Sequence, residues 1–126
     1  MNTSPIKKRR GLQRVWYAAG YSLKGLRAGW HEPAFRQELL LSLVLIPLAL
    51  VIARQWLEAV ALIGTVVLVM ITELLNTAVE SVVDRVGPEW HELSGRAKDM
   101  GSAAVLLSLL LCGGVWVTAV VRWWWY

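Results

Sequence analysis

The chain is poor in the residues and motifs of an ordinary soluble domain. Its single cysteine, Cys112, excludes an internal disulfide, and its place in an apolar run reads as a small packed side chain. His31 and His91 stand alone, without zinc-site spacing, and read as surface or hydrogen-bonding groups. There is no phosphate-binding glycine loop ending in Lys-Ser or Lys-Thr, no kinase glycine loop and no His-Arg-Asp triplet, which excludes a nucleotide site of soluble type. A signal peptide is also not expected, because the first apolar run starts late and lacks a small-residue cleavage end; the protein is expected to stay in the membrane. Charged residues make up only 17% of the chain against 56% hydrophobic, and the mean hydropathy is +0.49. That balance belongs to an integral membrane protein.

Acidic residues are missing from residues 1–31, which hold seven of the thirteen Lys and Arg and none of the nine Asp and Glu. The remaining six bases and nine acids give the rest of the chain a charge of −3. The net charge of +4 is therefore an N-terminal feature beside the first apolar segment. This placement favours an anionic membrane surface, and no nucleic-acid partner is expected.

Three apolar segments predict three membrane-spanning helices in one domain, residues 1–126. The first covers about 34–53, where Pro47 predicts a kink. "RQWLE" reads as a polar turn. The uncharged part of the second, 59–72, is 14 residues, too short to cross, so its helix runs on through Glu73 and Asn76 to about residue 84. Gly87-Pro88 ends it. The third covers about 96–121, followed by Arg122 and "WWWY", aromatics suited to a membrane interface, as is Trp56. Lys and Arg are concentrated in the N-terminal arm and the second connection, which places the N-terminus in the cytoplasm and the C-terminus on the opposite side. Before the first span, about residues 6–30 read as an amphipathic surface helix, with Leu12, Val15, Trp16, Ala19, Leu23, Leu26 and Trp30 recurring every three or four residues. Its Gly20, Gly25 and Gly29 suit either a plain anchor or close approach to a substrate.

The stretch "ITELLNTAVESVVDR" breaks the apolar pattern. On a helix Glu73, Glu80 and Asp84 fall within about 20° of one azimuth, with Asn76 on the flank. Glu32 and Glu38 open the first span on the same side, and Glu92, Arg96, Lys98 and Asp99 lead into the third. Carboxylates in an apolar layer need cations, water or protein partners. Three readings fit: phosphoryl transfer with magnesium and phosphates, an ion or proton path, or ion-pair locks such as Glu80 with Lys98.

"AAGYSLKGLRAGW", "EPAFRQE", "ELLNTAVESVVDRVG" and "EWHELSGRAKDMGSAAVLLS", over about residues 14–110, resemble the prokaryotic diacylglycerol kinase family of Gram-negative type. The resemblance implies an all-α integral membrane protein of the bacterial inner membrane, its C-terminus periplasmic. It implies a homotrimeric helical bundle whose active sites are shared between subunits. It further implies ATP as phosphoryl donor, Mg2+ as cofactor, and diacylglycerol converted to phosphatidic acid at the cytoplasmic surface. By position, Glu73 is the implied general base, with Asn76 and Lys98 beside it in the catalytic set. Glu32 and Glu80 are the implied metal carboxylates. Arg14, Tyr21, Glu32, Glu80, Asp84, Glu89, His91, Lys98 and Asp99 form the implied nucleotide- and substrate-binding set. One residue separates Trp30 from Glu32 where relatives commonly have two, and Pro33 predicts a helix start there. A polyprenol kinase acting on undecaprenol, and a non-catalytic channel or transporter, are the alternative readings.

Overall fold

The computed structural model describes residues 11–126. The "KKRR" cluster and residues 6–10 of the expected surface helix lie outside them. The described residues form four α-helices and no strand: α1 Leu12–Trp30, α2 Pro33–Ile52, α3 Trp56–Val86 and α4 Glu92–Trp125. Three of these, α2, α3 and α4, are long and apolar enough to cross a membrane. In an apolar layer every backbone N–H and C=O must find its partner inside the protein, and a helix does this within one segment.

The helix ends follow from local chemistry. Pro33 carries no N–H, so α1 cannot continue through it. The chain instead closes α1 with bonds from the His31 N–H to the Ala28 carbonyl (3.1 Å) and from the Glu32 N–H to the Gly29 carbonyl (2.9 Å). Glu32 is extended and becomes the N-cap of α2, with Pro33 in its first turn. Gly29 is buried there because α1 comes down on its neighbours. A Cβ on it would lie 2.6 Å from Leu74 Cδ2 and 3.0 Å from Phe35 Cδ1. α2 runs on through Pro47 to Ile52.

The polar turn before α3 is shorter than the sequence suggests. Residues 56–58 belong to the helix, because the Glu58 carboxylate turns back to accept the Arg54 N–H at 3.0 Å and closes the first turn. At the other end Gly87 leaves the helix with φ 153, a conformation open to glycine, and Pro88 prevents resumption. α4 starts at Glu92, so the polar residues 92–99 are its first two turns. The His91 ring caps it, Nδ1 accepting from the Leu93 N–H at 3.1 Å.

α3 is the central helix, packed along its length against α4 and, less extensively, against α2. α3 and α4 run antiparallel, and their cross-contacts follow in order. Glu58 meets Arg122 at 4.0 Å, and the Trp116 indole N–H donates to the Leu62 carbonyl at 3.2 Å. Thr72 Oγ1 lies 2.8 Å from Ser108 Oγ, and Asp84 meets Lys98 at 2.7 Å. At the end where α2 turns into α3, Ala49, Ile52, Leu62 and Ala119 form a buried cluster against Val115 and Trp116. Small side chains there let the three helices approach closely. Leu41, Leu43, Val44, Leu106, Leu107 and Val117 stay uncovered, a surface suited to lipid or to further apolar helices.

Candidate active site

The polar residues of α3 meet those of α4 at the end opposite the alanine-rich cluster. Asn76 Nδ2 donates to Glu80 Oε1 at 3.1 Å, one helical turn along. Glu73 and Glu80 are close enough for their charges to repel, and Lys98 is attracted first to Asp84 and also to Glu80. The Lys98 ion pair forms with Asp84 and not with Glu80, because the antiparallel register sets the ammonium one turn beyond Glu80. The result is a line of charged groups down one face of α3, Glu73, Glu80 and Asp84, in which Asn76–Glu80 and Lys98–Asp84 are the direct contacts.

That line ends at the connection between α3 and α4. Asp84, Glu89, His91 and Lys98 line one hollow of about 220 Å³, together with Gly87, Pro88 and Gly95. His91 Nδ1 accepts a backbone N–H, so in the neutral ring Nε2 carries the proton and remains a donor. Four residues singled out separately in the sequence thus share one small space.

Other sequence-predicted residues stand apart within a single chain. Glu32 lines a second groove of about 560 Å³, formed by Ser22, Gly25 and Gly29 of α1 and Leu74, Thr77 and Ser81 of α3. That face of α3 is turned about 90° from the Glu73–Glu80 stripe. Tyr21 lies on α1, its ring 5.8 Å from the Lys24 ammonium. Arg14 is exposed near the start of α1, and Asp99 is exposed on α4. Among the described residues no three His, Cys, Asp or Glu side chains gather closely enough to hold a metal ion. One chain therefore offers carboxylate oxygens suited to a hard cation, but not a closed coordination shell.

One further carboxylate, absent from the residues predicted for the site, borders it. Glu38, near the start of α2, has a buried Oε2 with no hydrogen-bond partner among the described residues, and it senses the charge of Glu73. A carboxylate inside the apolar start of a span was the available signal. Its proximity to Glu73 depends on how α2 is rotated against α3, which the linear pattern does not carry. Asn76 Oδ1 is buried and unpartnered in the same way.

The prokaryotic diacylglycerol kinase family model matches residues 20–120. A diacylglycerol kinase of Escherichia coli K12 is 53% identical over 107 residues, covering 84% of this chain and 88% of its own length. That of Haemophilus influenzae is 49% identical over 110 residues, covering 86% and 93%. That of Pseudomonas aeruginosa is 45% identical over 122 residues, covering 96% and 99%.

Proposed function

Because the chain belongs to the prokaryotic diacylglycerol kinase family, we propose that it transfers the γ-phosphoryl group of ATP to the free hydroxyl of diacylglycerol, yielding phosphatidic acid. The supporting observation is the acidic face of α3, which runs from Glu73 in the span past Glu80, held by Asn76, to the polar hollow where Asp84 meets Lys98. Glu73 lies about 10 Å along the helix from Glu80, toward the apolar middle of α3, at 1.5 Å per residue. A lipid hydroxyl reaches Glu73 from the membrane, while the nucleotide reaches Glu80 and Lys98 from water.

In the reaction Glu73 accepts the hydroxyl proton. The lipid oxygen forms its bond to phosphorus, the bond to the bridging oxygen breaks, and ADP leaves. Lys98 offsets negative charge on the phosphoryl oxygens. Asp84, Glu89, Asp99 and the Nε2–H of His91 form the nucleotide side, and Arg14 and Tyr21 contribute from the surface helix. Bound magnesium would neutralise phosphate charge, with Glu32 and Glu80 as its protein ligands. Glu32 faces a different groove from Glu80 in its own chain, which favours pairing between neighbouring subunits of a homotrimer. The surplus of basic residues near the N-terminus supports an inner-membrane protein with that terminus in the cytoplasm and the C-terminus in the periplasm.

The test is a phosphoryl-transfer assay in mixed micelles with labelled ATP, using dioleoylglycerol and undecaprenol in separate reactions, with magnesium or with a chelator. Labelled phosphatidic acid is expected, lost on chelation and regained on adding magnesium. Label on undecaprenol alone, or on neither lipid, overturns the proposal.

A further inference from the structure

We propose that Gly101 is a positioning residue for this site: its missing side chain lets the Asn76 amide lie across α4 and hold Glu80. The inference rests on the reading that Asn76 and Glu80 serve phosphoryl transfer.

A Cβ on Gly101 would collide with Asn76 Oδ1 and lie 3.3 Å from its Cγ and 3.7 Å from its Cα. The clash is specific to this position, since a Cβ at Gly95, Gly113 or Gly114 of the same helix would meet nothing within 4 Å in this chain. The amide cannot avoid it by turning over. Its Nδ2 is committed to Glu80 Oε1 at 3.1 Å, and a flip would set the amide oxygen against that carboxylate. Oδ1 must then point at α4, where it is buried without a hydrogen-bond partner among the described residues. The Gly101 Cα lies against it, and the Cα hydrogens of glycine are a mild neighbour for a buried carbonyl-type oxygen.

Moving the helices apart here would strain the cross-helix contacts on either side. Thr72–Ser108 crosses the seam on one side of this contact and Asp84–Lys98 on the other. An added methyl group therefore displaces the Asn76 side chain, and Glu80 loses the donor that orients it.

The test uses the full-length enzyme in lipid–detergent micelles and three variants: Asn76→Ala, Gly101→Ala and the double variant. Steady-state rates are measured against magnesium–ATP and, separately, against diacylglycerol. Gly101→Ala is expected to raise the KM for magnesium–ATP by about tenfold with the KM for lipid unchanged, as is Asn76→Ala. The double variant should lie within about twofold of Asn76→Ala, because the group the methyl disturbs is already gone. If Asn76→Ala is impaired while Gly101→Ala behaves as wild type, or if the two losses multiply, the role of Gly101 is overturned and the reading of Asn76 stands. If Asn76→Ala is itself silent, that reading falls, and this inference with it. Should Gly101→Ala fail to fold, recovery of folding in the double variant supports the steric contact, and failure of both overturns it.

Discussion

At the scale of the residue, the proposed roles in charge and proton transfer can be tested apart from stability. Glu73 is repelled by Glu80, and Glu38 lies close enough to sense its charge. Removing its charge relieves repulsion, so Glu73→Gln should leave thermal unfolding unchanged or slightly later while lowering kcat by about 10²–10⁴-fold. Lys98 and Asp84 are 43% and 67% exposed, so their ion pair contributes under about 1 kcal/mol in this open setting. Lys98→Met should therefore shift the unfolding midpoint little while abolishing phosphoryl transfer, and a large loss of stability would point to a structural lock instead. The alignment of Glu73, Glu80 and Asp84 was legible in the sequence because helical phase follows from spacing alone. Glu38 and Gly101 were not, since each matters through a side chain on a different helix.

At the scale of the element, α3 and α4 act as one antiparallel pair. Their hydroxyl contact is modest for a countable reason. Thr72 and Ser108 also bond to the carbonyls of Val69 and Val105 in their own helices, so at most one proton is shared across the seam. A double-mutant cycle with Thr72→Val and Ser108→Ala should give a coupling of about 0.6 kcal/mol, and a value above about 1.7 kcal/mol would contradict this accounting. The sequence exposed the apolar middles of these helices but not their ends. Hydropathy falls away before residue 100, yet α4 begins at Glu92 because a histidine cap supplies its start. α3 begins within an apparent turn because Glu58 satisfies a backbone donor there. Both ends depend on side-chain hydrogen bonds, which an average over hydropathy does not register.

At the scale of the whole molecule, a single chain sets Glu32, the N-cap of α2, against a different face of α3 from the one that carries Glu80. Oligomers mixed from Glu32→Ala and Glu73→Gln subunits, each expected to be impaired alone, should regain part of the wild-type rate if neighbouring chains complete each site. Persistent inactivity across all mixing ratios would mean that each chain works alone. The far ends of the helices bear on the same chemistry. Trp56 opens α3, and Glu73 follows it about 25 Å along the axis at 1.5 Å per residue, close to the roughly 30 Å depth of a bilayer's hydrocarbon. On the proposed mechanism α3 is a ruler between the two leaflets, and acyl length decides how far Glu73 falls from the surface opposite Trp56. Bilayers too thin or too thick would lift or sink Glu73 relative to the glycerol backbone, so turnover should peak at an intermediate chain length.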